Sequence, residues 1–162
     1  VLDNASVIAR GAVNLVYRRI EAQLNDYMGK VFEEICTQYL WKLLLKGKMP
    51  IEFVSLWRWW GNDPRKKIQA EIDIMGEQDS NSAVFAECKW RNENVDLDVL
   101  ETLVDRSGLF HYTTIHYFLF SKTGFTKGCM EQAEKMRNVT LVSYEDMISL
   151  FSTSPVPYQP IM

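Results

Sequence analysis

Four charged side chains near the middle of the chain have residue types and a spacing suited to metal-dependent hydrolysis. Glu71 and Asp73, and then Glu87 and Lys89, alternate with apolar residues in two short runs rich in β-branched and aromatic residues. Side chains two apart on a strand share a face, so each pair points one way if the runs form a hairpin. Three carboxylates and a lysine on an apolar hairpin are costly to bury unless they pair or bind a metal. Both interpretations, ion pairs at a sheet edge and a divalent-metal site, stay open at this point.

The reaction that such a metal site would support is phosphodiester hydrolysis. It needs stabilisation of the charge on the scissile phosphate and a water deprotonated near neutral pH. Mg²⁺ takes oxygen ligands and keeps several waters, so two carboxylates and a backbone carbonyl suffice. Asp73 and Glu87 would be direct ligands, with the Cys88 carbonyl as a third. Lys89 would orient the attacking water or neutralise developing charge, and Glu71 could be an accessory acid.

Apolar spacing and capping residues predict the elements that must position these side chains. The strongest helix is predicted over 27–45, after a separate helix that Asp3 or Asn4 caps, with a second cap at 25–26. The later elements are predicted as strands 51–60, 70–75 and 83–90, a helix after Asp96, a strand 113–121, a helix 125–137, a strand 139–142 and a helical turn 144–150. Three strands in series favour an antiparallel meander, and the later alternation favours parallel pairing. The predicted fold class is α/β, a mixed sheet with helices on both sides.

Length and composition indicate a single domain. The 162 residues are divided into a helical lead-in at 1–26, a folded domain at 27–151 and a proline-containing tail at 152–162. No apolar run approaches the roughly 18 residues of a membrane helix, and no secretory signal is visible. The three cysteines are far apart and suit reduced thiols, so a cytoplasmic protein without membrane contact is expected. A net charge of −3 is not typical of a nucleic-acid-binding protein.

A second candidate feature interleaves aromatic and cationic residues just before the central strands. Arg58 and Trp60 belong to the segment WRWW, and Arg65, Lys66 and Lys67 follow it in a turn. This composition suits contacts with backbone phosphates and stacking on an unpaired base. The alternative is a strand that buries alternate tryptophans beside a solvated basic turn. The two histidines are too few and too poorly grouped for a zinc site or a catalytic triad.

The charged residues, taken with the order of the elements, resemble the PD-(D/E)xK nuclease superfamily, which has the restriction-endonuclease-like fold. Its members carry a glutamate on the first helix, an acid on the second strand and E-x-K on the third. The segment GKVFE, ending at Glu33, is similar to the helix motif, Asp73 in EIDI to the acid, and Glu87-Cys88-Lys89 to E-x-K. The resemblance implies an αβββαβ core with a further helix and strand, a Mg²⁺ or Mn²⁺ cofactor and a nucleic-acid substrate. It also implies that Glu33 holds a metal-bound water or a second ion.

A wider resemblance links most of the chain to a larger type of protein. The phrases YMGKVFEEIC, RWWG, EIDIMG, ECKW and FSKTGFTKG, over about Tyr27 to Met147, resemble a domain of unknown function that follows the P-loop domain in a group of prokaryotic ATPases. The chain starts at Val1 rather than methionine and has no G-x-x-x-x-G-K-S/T, so we expect a piece whose ATP-binding partner is an N-terminal domain of the same protein.

Three functions therefore stay open from the sequence. The first is a metal-dependent nuclease domain of an ATPase. The second is a catalytically silent domain that targets or oligomerises the ATPase. The third is a nucleic-acid-binding module that does not cleave, which would need a basic surface that the net acidic composition does not favour.

Overall fold

The computed structural model describes the backbone of residues 2–152 and the side chains of residues 9–152. Within this part of the chain, the five strands and the helices that follow the first three of them come in the predicted order. The elements are α1 (Leu2–Leu45), β1 (Ser55–Asp63), β2 (Ile68–Asp79), β3 (Ser82–Lys89), α2 (Leu97–Ser107), β4 (Thr114–Ser121), α3 (Lys127–Met136), β5 (Val139–Ser143) and α4 (Tyr144–Ser152). The predicted tail, apart from Ser152, lies outside the described residues.

Helix α1 is continuous, so the prediction of two helices separated at 25–26 is wrong. Capping residues end a helix only where the backbone leaves it, and no proline interrupts the chain here. Once a helix is nucleated, each further residue adds a hydrogen bond, which carries it through Asn25 and Asp26. The helix ends where predicted, because Gly47 takes a positive φ of 67° and Lys48 N–H donates to the Leu43 carbonyl.

The strands form one five-stranded sheet in the order β1-β2-β3-β4-β5. Strand β2 pairs antiparallel with β1 and with β3, whereas the pairs β3–β4 and β4–β5 are parallel. This arrangement confirms the predicted mixed sheet. The first hairpin turn lies at 64–67, because β1 continues to Asp63 and Lys67 N–H closes the turn on the Asp63 carbonyl at 2.8 Å.

Two apolar clusters cover the two faces of the sheet and make a three-layer arrangement. The first lies against α1 and α4 and includes Phe32 and Met147. The second lies against α2 and α3 and includes Leu100 and Ala133. Helices are therefore present on both sides of the sheet, as the sequence predicts. No helix in the described part of the chain is long and apolar enough to cross a lipid bilayer.

A bulge in β2 changes the direction of its side chains at the candidate site. Trp57 and Trp59 of β1 pair with Met75 and Ile72, so three steps along β2 match two along β1. As a result, Ile72 packs in the cluster under α2, whereas Ile74 packs in the cluster under α1. The strict alternation predicted for this strand is wrong at this point.

Candidate functional site

The carboxylate of Asp73 lies where β2 and β3 separate. The last paired residues before the gap are Ile74 and Ala86, so Asp73 and Glu87 are the next residues on the two strands. Instead of continuing the backbone ladder, β3 binds the side chain of β2, because the N–H of Cys88 donates to Asp73 Oδ2 at 2.8 Å. The Asp73 carboxylate therefore lies between the two strands, and Glu87 is the next residue of β3 beside it.

Glu87 supplies that second carboxylate and keeps one oxygen without a partner. Its residue is only 8% exposed, and Lys89 Nζ lies 2.9 Å from Oε1. The other oxygen, Oε2, is buried and accepts no hydrogen bond from any described residue. An unpaired carboxylate oxygen in a buried position is costly, so this atom marks a place suited to a cation.

The electrostatics of the gap agree with that interpretation. Burial raises the pKa of Glu87, and the charge of Asp73 raises it further, against the opposing effect of Lys89. Burial likewise raises the pKa of Asp73, although the Cys88 hydrogen bond and the charge of Lys89 act in the opposite direction. A divalent cation between the two carboxylates would remove their mutual repulsion and favour their ionised forms.

The backbone of Cys88 offers a third oxygen toward the same gap. Successive residues of a strand direct their peptide groups to opposite edges. The Lys89 carbonyl accepts from Lys122 N–H on the β4 side, so the Cys88 carbonyl faces β2, as its N–H does. Within the described residues, no three or more histidine, cysteine, aspartate or glutamate side chains are grouped to hold a metal ion. A cation here would therefore rely on the two carboxylates, this carbonyl and water, which fits Mg²⁺.

Two further predicted acids, Glu33 and Glu71, lie beside Asp73 and share an arginine. Arg58 NH1 lies 3.3 Å from Glu33 Oε2, and Arg58 NH2 lies 2.8 Å from Glu71 Oε2. Burial and the charge of Asp73 raise the pKa of Glu33, whereas the hydrogen bond from Arg58 lowers that of Glu71. Arg58, predicted as a phosphate contact, is thus also an internal partner of the acids.

Two clefts open on either side of these residues. One, of about 270 Å³, is lined by Lys30, Glu33, Arg58 and Asp73, and it lies against α1. The other, of about 200 Å³, is lined by residues of β3 and α2, including Glu87, Lys89, Arg91, Thr102 and Arg106. Asp73 and Lys89 therefore line different clefts. They still interact across the gap between the strands, because the charge of Lys89 lowers the pKa of Asp73.

Arg106 is a site residue that the sequence analysis missed. It lines the cleft of Glu87 and Lys89, and its NH1 donates to the Glu71 carbonyl at 2.7 Å. A signal was present, because Val99, Leu103 and Arg106 follow one another at helical spacing and the first two are buried. A cation on the apolar stripe of a helix indicates an acceptor on the element that the helix packs against, here the Glu71 carbonyl of β2.

The basic turn at 65–67 lies at the far end of the β1–β2 hairpin, and two of its cations contact carboxylates of the protein. Arg65 lies 2.9 Å from Asp63 Oδ2, and Lys66 Nζ lies 2.7 Å from Asp105 Oδ2. Lys67 is exposed. The structure thus gives Arg65 and Lys66 carboxylate partners within the protein, and the contact of this turn with nucleic acid stays a prediction.

Trp59 and Trp60 of β1 differ in their exposure. Trp59 packs on Phe110 with ring centroids 5.1 Å apart. Trp60 is 70% exposed and pairs on the sheet with Glu71, one of the acids held by Arg58. Trp59 therefore packs against the apolar cluster under α2, Trp60 lies on the surface beside the acids, and stacking of a base on Trp60 stays a prediction.

Comparison with known proteins matches residues 1–100 to the family DUF234, described as "Archaea bacterial proteins of unknown function". A curated relative, "Uncharacterized protein MJECL04" of Methanocaldococcus jannaschii, is 31% identical over 93 residues, which are 57% of this chain and 19% of that protein. The chain therefore matches about a fifth of the length of this relative.

Two solved structures superpose on part of this chain. The "Protein of Unknown Function AF1548" superposes with a TM-score of 0.48 and 17% identity, covering 81% of this chain and 72% of that one. The "DNA modification-dependent restriction endonuclease AspBHI" superposes with a TM-score of 0.37 and 12% identity, covering 76% of this chain and 34% of that one.

Proposed function

The chain belongs to the DUF234 family, and we propose that the gap between Asp73 and Glu87 is the centre of a metal-dependent nuclease domain. The observation that carries the proposal is the buried, unpartnered Oε2 of Glu87 beside the Asp73 carboxylate and Lys89. This combination leaves a site with two acids, one nearby cation and one unsatisfied acceptor. The PD-(D/E)xK pattern of the sequence supports the same function.

Asp73, Glu87 and the Cys88 carbonyl would hold Mg²⁺ or Mn²⁺, since these are hard oxygen ligands at one gap. The metal, when bound, would supply positive charge for the phosphate and lower the pKa of a coordinated water. Cys88 N–H keeps the Asp73 carboxylate oriented toward the gap. Because the side chain of Lys89 is partly exposed next to Glu87, its ammonium can contact both the site and a substrate in the open cleft.

Lys89 is the residue that we assign to the reacting phosphate. Its Nζ lies 2.9 Å from Glu87 Oε1, which fixes the ammonium at the edge of the gap. There it can donate to a phosphate oxygen or position the attacking water, and it stabilises charge that develops in the transition state. Arg106 lines the same cleft and adds positive charge on the α2 side.

The same proposal has a wider part, which the sequence resemblance supports. A P-loop ATPase domain would precede this chain in the same polypeptide, bind ATP there and control access to the site. Such control requires that the ATP and ADP forms contact this domain differently. The second candidate function is a silent domain that binds nucleic acid or joins the ATPase into oligomers, favoured by the ion pairs that already engage Glu33, Glu71 and Glu87.

The test is incubation of the chain with plasmid, single-stranded DNA and RNA, each with Mg²⁺, with Mn²⁺ or with EDTA. We expect cleavage of at least one substrate that needs the divalent cation. Binding without cleavage in every metal condition would favour the silent domain. The longer polypeptide, compared with ATP, with ADP and without nucleotide, would test ATPase control, and identical rates in all three would exclude it.

A further inference from the structure

Arg58 forms ion pairs with two acids that lie next to Asp73. Its guanidinium contacts Glu33 Oε2 at 3.3 Å and Glu71 Oε2 at 2.8 Å, which places one fixed positive charge between two acids from different elements. Glu33 comes from α1, Glu71 from β2 and Arg58 from the edge strand β1. The two acids next to Asp73 therefore share one positive charge that the protein itself supplies.

A guanidinium is well suited to replace a metal ion between two carboxylates. It is always charged, and its planar fork of donors binds two acceptors at once. Arg58 is also tethered to the sheet, so its local concentration exceeds that of a free ion. Two-metal nucleases place their ions about 3.5–4 Å apart, bridged by carboxylates. Here the carboxylates that could complete a second site are bound to Arg58.

The oxygen without a partner lies elsewhere, on Glu87. Among the four acids of the site, Glu33 and Glu71 contact Arg58, Asp73 accepts from Cys88 N–H, and Glu87 keeps Oε2 unpaired. The one carboxylate oxygen of these four acids that is known to be buried and unpaired therefore lies at the gap between Asp73 and Glu87.

We propose that Arg58 stands in for a second metal ion, so that the site binds one divalent cation, at Asp73 and Glu87. This inference rests on the proposed metal centre and deepens it. It changes the role that the resemblance implies for Glu33, which holds Arg58 rather than a metal-bound water or a second ion. It also makes Arg58 the residue that sets the metal stoichiometry.

The experiment is a calorimetric titration of the whole chain with Mn²⁺, joined to electron paramagnetic resonance of the bound Mn²⁺. The key variant is Arg58→Gln, which keeps a polar side chain but frees Glu33 and Glu71. The matched control is Arg65→Gln, because Arg65 has the same side-chain exposure (42% against 41%) and also contacts two acids, Asp63 and Asp105. Neither measurement depends on catalytic activity.

We expect one Mn²⁺ in the unmodified chain and in Arg65→Gln, and two in Arg58→Gln, with spin coupling that shows the ions to be neighbours. One ion in both the unmodified chain and Arg58→Gln would overturn the role of Arg58 and leave the proposed metal centre intact. Two ions in the unmodified chain, or a second ion without spin coupling in the variant, would also overturn it. No binding in any of the proteins would contradict the proposed metal centre itself, and this inference with it.

Discussion

Cys88 N–H donates to Asp73 Oδ2 at 2.8 Å, so the strand that carries Glu87 and Lys89 also orients the acid of its neighbour. The contact replaces a backbone pair that the sheet would otherwise make beyond Ile74 and Ala86. It keeps two carboxylates close to each other, where burial raises the pKa of both and the charge of Asp73 raises the pKa of Glu87 further. Without a cation, the ionised carboxylates therefore lower the free energy of unfolding. Their charge state can be followed through the pH dependence of the melting temperature.

Glu87→Gln should make the metal-free protein more stable at neutral pH. The folded-state pKa of Glu87 is raised above its ordinary 4.5, so the ionised side chain opposes folding and this penalty disappears as the pH falls. Lys89 is partly exposed and can turn to water when its partner is neutral. We expect a higher melting temperature, because a buried unpaired amide costs less free energy than a buried unpaired carboxylate.

Thermal unfolding in EDTA at several pH values measures this effect. The advantage of the variant should shrink as the pH is lowered toward 4.5 and vanish below it. Glu131→Gln is the control, since Glu131 is exposed and its contact with Lys127 is long, at 3.7 Å. A Glu87→Gln protein that is less stable than the unmodified one at pH 7.5 would show that the carboxylate is favourably paired in the folded state.

Asp63→Asn should have the opposite effect on stability. Hydrogen bonds from the Arg65 side chain and backbone lower the pKa of Asp63 from 3.8 to about 2. A lowered folded-state pKa stabilises the folded protein above the unfolded value, and that contribution is lost as the pH falls from about 4 to about 2. We expect the variant to melt several degrees lower at pH 7.

Calorimetry from pH 7 to pH 2 would follow the loss. The melting temperatures of Asp63→Asn and the unmodified chain should converge toward the acidic end. The exposed Glu134→Gln provides the comparison. A difference in melting temperature that stays constant over the whole pH range would mean that the charge of Asp63 does not contribute to stability.

Trp60→Ala should weaken binding of unpaired nucleic acid. Its ring is 70% exposed next to Glu71, and stacking of a base on an aromatic side chain contributes about 1–3 kcal/mol. We expect a loss of about tenfold in affinity for single-stranded DNA, measured by fluorescence anisotropy with Ca²⁺ in place of Mg²⁺. Ile68→Ala, an exposed apolar residue of the same hairpin with no aromatic ring, should bind like the unmodified chain. Equal affinities for Trp60→Ala and Ile68→Ala would exclude stacking at Trp60.

The sequence predicts much of this architecture because its signals are local. Asp96, for example, caps α2 as expected, with its Oδ1 accepting from Leu97 N–H. The alternation that brings Glu87 and Lys89 into one cleft is likewise a property of a single regular strand. Such features depend on neighbouring residues and are visible in the chain itself.

Features that depend on pairing between distant segments were not predictable in this way. The bulge that changes the side-chain direction at Asp73 arises from the register of β1 against β2, which strand periodicity cannot show. The partners of Arg58 come from α1 and β2, and the contact of Arg106 with the Glu71 carbonyl spans 35 residues. These long-range ion pairs decide which charges remain available for a ligand.

The most direct test of the proposed nuclease centre compares Lys89→Ala and Asp73→Asn with the unmodified chain. Single-turnover cleavage of the best substrate and the affinity for Mn²⁺ are measured on the same preparations. Lys89→Ala should lose roughly 100-fold or more in cleavage and keep its Mn²⁺ affinity, because an ammonium that acts on the phosphate is no metal ligand. Asp73→Asn should lose both, since an amide is a poorer ligand for a hard cation. Equal loss of Mn²⁺ affinity in the two variants, or cleavage by Lys89→Ala at the unmodified rate, would contradict the account.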